Sequence, residues 1–277
     1  MTVAETAHDD GRVRVAEGGP AARATVTVLA TIGLLFLGLP VLALVLRAFT
    51  SGTIGGTATG PLLTALALSL WTSLVAIGLV VLFGAPVAWI LARRRFRGKA
   101  FVETLVDLPI VLPPSVAGLA LLLVYGRRGL LGGALDVAGV SIAFSTIAVL
   151  LAQAFVAAPF FIRATRTGLL GVSRELEEAA AVDGAAPSQV VRRITIPLAA
   201  PALGAGLVLA WARALGEFGA TIMFAGNLEG RTQTLPLLVY TEFQGSLDAA
   251  VAAATVLIVA ALGVLIAVRL THWRAVL

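Results

Sequence analysis

The chain has 277 residues and a net charge of +5, but 59% of its residues are hydrophobic and only 13% are charged, with a mean hydropathy of +0.99. No water-soluble globular domain of ordinary composition is this apolar, so we identify an integral membrane protein and discount nucleic acid as a partner of its basic residues. The sequence contains no cysteine, which excludes disulfides, thiolate catalysis and cysteine metal sites.

Six apolar runs predict an all-α membrane protein with six transmembrane helices. Residues 1–24 mix charged side chains with glycine and alanine, and we expect a disordered tail there. The first span is expected over residues 25–48, and the other five lie within a core of residues 62–270. The predicted bounds of those five spans are about 62–92, 101–125, 141–162, 196–224 and 249–268.

The third predicted span is interrupted by prolines, which indicates a broken or non-helical stretch. Pro109 is followed by the pair Pro113 and Pro114, with Ser115 next. Irregular backbone at membrane depth is tolerated only where protein or a water-filled cavity satisfies its polar groups. Pro113, Pro114 and Ser115 are therefore candidates for a pathway or gate.

Polar residues within the other spans are few. Arg213 and Glu217 are four residues apart on one helix face, so we expect them to pair. Such a pair could line the pathway, fix helix packing by mutual neutralisation, or reach the outer interface, and the sequence leaves these alternatives open. Gln153, in the fourth span, is a weaker pathway candidate. Glycines in or near the fifth span predict close helix contact; they are Gly204, Gly206, Gly216 and Gly219.

Motifs for catalysis are absent from the sequence. Its Gly-Lys pair, Gly98-Lys99, is followed by Ala100 and lacks the glycine five residues earlier that a P-loop requires. There is no metal-ligand spacing and no nucleophile elbow. We therefore expect no catalytic residue, no metal site and no cofactor bound by this chain.

The long polar segment between the fourth and fifth spans, residues 163–196, is expected to be folded. Ser173 can cap a helix whose first turns carry glutamates, and Gly184 can end that helix with a positive φ. Pro187 suits the first turn of a second short helix, which would carry Arg192 and Arg193 back to the membrane surface.

This loop resembles that of the permease subunits of ATP-binding-cassette (ABC) importers, which reads E-A-A, three residues, G, nine residues, I, one residue, L-P. Ile196 stands where that family usually has leucine. The matching residues here are Glu178, Ala179, Ala180, Gly184, Ile194 and Pro197. The resemblance implies a type I importer permease (MetI-like) fold with a cytoplasmic coupling helix that docks on an ATP-hydrolysing subunit. The alternative is an amphipathic helix on the lipid surface, which would favour basic and bulky apolar residues over this acidic, alanine-rich composition.

Two further segments, Leu108 to Gly132 and Arg213 to Gln244, resemble the oxyanion branch of that family, and most of all the molybdate permeases. This resemblance implies three protein partners: a second copy of the chain, a cytoplasmic subunit that binds ATP and Mg, and an external solute-binding protein that delivers molybdate or tungstate. A sulfate or thiosulfate permease is the alternative within the family. An autonomous secondary transporter is the alternative outside it, but such proteins usually show internal repeats and more intramembrane ionisable residues.

The basic residues predict the orientation in the membrane. With the N-terminus inside, the cytoplasmic segments hold fifteen Lys and Arg residues and the outer segments hold four. Because basic residues concentrate in cytoplasmic loops, both termini and the polar loop are expected in the cytoplasm. The resemblance places such a multi-pass chain in the plasma (inner) membrane of a bacterium or archaeon.

Overall fold

A computed structural model describes residues 20–50 and 59–274, and every regular element in these ranges is a helix. A π-helical turn, Val191–Thr195, joins the eighth helix to the ninth. The helices are α1 (Pro20–Thr50), α2 (Thr59–Arg93), α3 (Lys99–Val111), α4 (Pro114–Tyr125), α5 (Gly132–Val137), α6 (Thr146–Leu170), α7 (Arg174–Val182), α8 (Pro187–Val190), α9 (Ile196–Leu215), α10 (Gly219–Ala225), α11 (Leu235–Gly245) and α12 (Leu247–Arg274).

Within the described ranges, five helical stretches are long and apolar enough to cross a membrane. They are α1, α2, α6, α12 and the continuous helix that runs from α8 to the end of α9. The pair α3 and α4 would provide a sixth span, but the two helices are bent by 116° where they meet.

The bend in the third span has a local cause. A residue before proline disfavours helical backbone, and Leu112 and Pro113 adopt extended ψ values of 132° and 136°. Pro114 then occupies the first turn of α4, where its missing N–H costs nothing. The prediction of a broken third span is confirmed.

The first helix begins at Pro20, earlier than the predicted bound at residue 25. Proline suits the first turn, and the alanines that follow favour helix. Residues 1–19 of the predicted tail lie outside the described residues.

The predicted second short helix begins at Pro187 as α8. It continues through the π-helical turn into α9, so one continuous helical stretch runs from Pro187 to Leu215. The predicted end of the fifth span at Phe224 is wrong. The chain turns after Leu215 and starts α10 at Gly219, where the Glu217 carboxylate accepts the Ala220 N–H at 2.7 Å.

The helices α2, α6 and α9 pack against one another to form the centre of the fold. Small residues let α6 and α9 approach closely. A Cβ on Gly206 would lie 2.5 Å from the Cβ of Ala164, and a Cβ on Gly168 would lie 2.6 Å from that of Ala202. The expected role of Gly206 in helix contact is thereby confirmed.

Ion pairs hold two peripheral helices, α1 and α3, against the rest of the fold. Helix α1 packs against α12, where Arg47 and Asp248 are 3.1 Å apart. Helix α3 is held along the last turns of α6 by Glu103 with Arg166 at 2.7 Å, and by Asp107 with Arg163 at 3.5 Å.

Candidate functional site

The polar loop folds around α7 largely as its local sequence predicts. Ser173 accepts the N–H of Glu175 at 3.2 Å and so caps the helix, and Gly184 follows its end with a φ of 89°. The side chain of Gln189 then accepts the Ala186 N–H at 2.9 Å as the next helix begins at Pro187. The predicted cap and the predicted positive-φ glycine are confirmed.

The residues of the E-A-A motif lie mostly at the surface of the chain. Glu178, Ala179, Gly184 and Pro197 are exposed, and Ala180 and Ile194 are half-buried. Beside them is an open groove of about 430 Å³, whose lining includes Glu178, Glu177, Arg93 and Thr195. The acidic, small-residue face of α7 is thus exposed on the chain.

The residue before this motif is bonded inward. The Oε1 of Glu177 lies 2.7 Å from Nη2 of Arg93 at the end of α2, and it accepts the Thr195 hydroxyl at 2.5 Å. The Arg93 guanidinium also lies 5.7 Å from the ring centre of Trp89, within cation–π range. Sequence reasoning missed this cluster, because Arg93 and Glu177 are 84 positions apart and no local pattern relates them.

The predicted gate residues of the third span lie against the turn that follows the fifth. A Cβ on Gly219 would be 2.6 Å from the Cβ of Pro114, and a Cβ on Gly118 would be 2.6 Å from the Ala220 carbonyl oxygen. Helices α4 and α10 are therefore in backbone contact, and both glycines are needed for it. Pro113, Pro114 and Ser115 themselves are exposed on the chain.

Arg213 and Glu217 form the predicted ion pair, with Nη1 and Oε2 2.6 Å apart. The Glu217 side chain is only 1% exposed, and that of Arg213 is 28% exposed. The second carboxylate oxygen of Glu217 accepts the Ala220 N–H, so one residue neutralises the arginine and starts α10. This geometry agrees with the packing alternative and places the pair beside the exposed break of the third span.

Gln153 does not join this group at the surface. It is fully buried in α6, and neither atom of its amide has a hydrogen-bond partner among the described residues. A buried amide without partners is costly, so this position carries an unsatisfied polar group inside the chain.

Two serines of α2, which sequence reasoning missed, hold the segment before α11. Ser69 and Ser73 are one turn apart on the buried face of α2. Ser69 accepts the Leu235 N–H at 2.6 Å, and Ser73 accepts the indole N–H of Trp211 at 3.1 Å. These hydroxyls hold the start of α11 and the end of α9 on one helix.

Groups of three or more His, Asp or Glu side chains that could hold a metal ion do not occur in residues 20–50 and 59–274. The clusters described above bind helices to one another. Their contacts are charge-assisted hydrogen bonds and close backbone approaches.

Fold and loop together define a membrane-spanning subunit of a transporter. The chain belongs to the family of binding-protein-dependent transport system inner membrane components, whose model matches residues 81–272. The predicted all-α, type I importer permease (MetI-like) fold is confirmed.

Two curated relatives and one solved structure are informative. The molybdenum transport system permease protein ModB of Mycobacterium tuberculosis (strain ATCC 25618 / H37Rv) is 44% identical over 229 residues, which cover 83% of this chain and 87% of that protein. A probable sulfate transport system permease protein, cysT, of Anthoceros angustus is 35% identical over 247 residues, covering 87% and 86%. A chain in the crystal structure of a bacterial ABC transporter involved in import of the acidic polysaccharide alginate is similar with a TM-score of 0.70 at 20% identity, covering 92% of this chain and 95% of that one. The last similarity concerns the fold alone.

Proposed function

We propose that this chain is the permease subunit of an ATP-driven importer for molybdate or tungstate. The observation that carries the proposal is its 44% identity, over most of both chains, with a permease named for molybdenum transport. The sulfate permease relative is similar over a slightly greater length, 247 residues against 229, but only 35% identical, so sulfate or thiosulfate is the second candidate.

In the proposed assembly, two copies of the chain surround a central pathway. The exposed E-A-A face of α7 docks on a cytoplasmic subunit that binds ATP and Mg and hydrolyses the nucleotide. An external solute-binding protein delivers the anion on the other side. The exposure of Glu178 and Ala179 supports this assignment, because a carboxylate on a small-residue surface suits close approach by a basic partner.

The transport cycle follows from this arrangement. Closure of the ATPase subunits draws the two docked loops together and rocks the spans toward an outward-open state, and hydrolysis reverses the motion. Both termini and the loop lie in the cytoplasm, and the chain spans the plasma (inner) membrane of a bacterium or archaeon. The catalytic work belongs to the partner, so this subunit is a non-catalytic component.

The gate lies where the third span breaks. Pro113, Pro114 and Ser115 are exposed beside the turn that carries the Arg213–Glu217 pair. Because that arginine is neutralised by its partner, the site presents no net positive charge that would trap a dianion and slow its release. Selectivity then resides mainly in the external binding protein, and Gln153 is the remaining polar candidate along the pathway.

The test is uptake of labelled molybdate and sulfate into vesicles that contain this subunit, its ATPase and its binding protein. The wild type is expected to accumulate molybdate only with ATP, and Glu178→Lys is expected to abolish this uptake by reversing the charge offered to the ATPase. Glu229→Lys makes the same change at an exposed residue outside the loop and should leave binding of the ATPase intact. Sulfate uptake without molybdate uptake would overturn the choice of anion, and wild-type uptake by Glu178→Lys would overturn the docking role.

A further inference from the structure

Three polar residues meet in the groove beside α7, next to the face of that helix that carries the E-A-A motif. They are Arg93 at the end of α2, Glu177 in α7 and Thr195 in the π-helical turn before α9, and we call them the Glu177 link. One carboxylate oxygen, Oε1 of Glu177, receives both the guanidinium and the hydroxyl. No other described contact joins α7 to both span helices through a single atom.

The side chains of the Glu177 link are largely shielded from water. The side chains of Arg93 and Glu177 are 13% and 20% exposed, and Thr195 is fully buried. At 2.7 and 2.5 Å, its two bonds have the lengths of charge-assisted hydrogen bonds. Loss of either partner would leave a sheltered charge with part of its bonding unmet, so the three groups are held together as a set.

The backbone on the α9 side suits transmission of movement. Thr195 ends the π-helical turn, in which the Ile196 N–H bonds to the Val191 carbonyl. The helix is continuous from Pro187 to Leu215, so a displacement at its loop end passes directly into the span. Single π-helical turns within α-helices are found frequently at functional sites.

Two neighbouring glutamates of α7, Glu177 and Glu178, have different surroundings. Glu178 is exposed and free to face the proposed ATPase, whereas Glu177 is bonded to the end of α2 and to the turn before α9. We propose that Glu177 is a positioning residue that couples α7 to α2 and α9, so that movement of the docked loop is converted into movement of both spans. The proposal rests on the permease function given above and assigns Glu177, Arg93 and Thr195 a part in it.

The test measures molybdate moved per ATP hydrolysed in reconstituted vesicles, together with co-purification of the ATPase. Glu177→Gln and Thr195→Val are nearly isosteric and remove the charge or the hydroxyl of the link. Both should lower the transport-to-hydrolysis ratio severalfold while the ATPase remains bound. Both substitutions act through one link. The fold-decrease of the transport-to-hydrolysis ratio in the double variant should therefore be smaller than the product of the two single fold-decreases.

Two controls separate this role from simple folding defects. Thr195→Ser keeps the hydroxyl and should keep the ratio near that of the wild type. Arg94→Ala removes a neighbouring, exposed arginine whose side chain has no partner among the described residues, and it should also be unchanged.

Two results would overturn the proposal. The first is a wild-type ratio for both Glu177→Gln and Thr195→Val. The second is loss of the ATPase from these variants, since Glu177 would then be a docking contact. Failure of the wild type itself to move molybdate would instead count against the permease function for that anion, so the two failures are distinct.

Discussion

Single residues decide how the polar loop around α7 is held. Glu177 and Glu178 are adjacent in a helix, and successive helical residues point about 100° apart, so one can bond inward while the other faces a partner. Gly184 has an equally specific task, because its φ of 89° lies in the left-handed region that only glycine adopts readily. A Cβ at Gly184 would meet no atom within 4 Å, so any cost of substitution comes from the backbone alone.

The effect of replacing Gly184 should therefore depend on how well the new residue tolerates a positive φ. We expect Gly184→Val to cost about 1 kcal/mol or more locally and to misplace the end of α7, because a β-branched residue disfavours positive φ. Gly184→Asn fits the same open space and tolerates left-handed backbone better, so it should retain more activity. ATPase co-purification and molybdate uptake measure the difference. Wild-type docking and uptake by both variants would show that the turn does not control docking.

At the scale of elements, two interrupted helices meet at their interruptions. Pro113 follows the end of α3, and Pro114 lies in the first turn of α4. Glu217 lies in the turn after α9, and its carboxylate accepts the Ala220 N–H in the first turn of α10. Gly118 and Gly219 allow the resulting short helices to touch through their backbones. The irregular backbone of the third span is thus partly satisfied by protein, and its exposed residues are left to line a cavity or a subunit boundary.

Because the chain has no cysteine, a single one can report on that boundary. If the break lines the pathway, Ser115→Cys should react with a small aqueous thiol reagent in at least one nucleotide state. Ala117→Cys, two residues further on, replaces a fully buried side chain and should be protected. Protection of Ser115→Cys in every nucleotide state would indicate a lipid-facing or tightly packed position and would remove it from the gate.

For the whole molecule, orientation is the property on which the function depends. The fifteen-to-four bias of basic residues predicts that the loop between α6 and α8 lies on the cytoplasmic side, where an ATPase could reach it. The ion pairs that hold α3 to α6 involve basic residues near this same end, so the bias also serves local structure.

A reporter active only in the cytoplasm should work when inserted near Ala186, an exposed residue of the loop. The same reporter near Glu229, in the exposed segment after α10, should be inactive. The fusions are compared by reporter activity in intact cells, normalised to protein amount. Activity of the Ala186 fusion only with an external reporter would invert the topology and remove the docking role of the loop.

The sequence by itself determined the membrane class, the permease family resemblance and the features that depend on neighbours along the chain. The Ser173 cap, the turn at Gly184, the Arg213–Glu217 pair and the break at Pro113 each involve residues a few positions apart, whose geometry local backbone chemistry sets. The sequence does not predict the end of the fifth span correctly, because α10 is as apolar as the span it follows. Composition cannot distinguish a continued helix from a turn followed by a new helix.

Only the tertiary structure decided which distant residues act together. Glu177 bonds to Arg93, 84 positions away, and Ser69 bonds to Leu235, 166 positions away. The sequence around Arg93 or Ser69 gives no sign of these partners. Hydrophobic periodicity tells which face of a helix is buried but not against what, since apolar contact is non-directional. The partners of a sheltered polar group are chosen by the packing of α2, α6 and α9, and that packing exists only once the chain is folded.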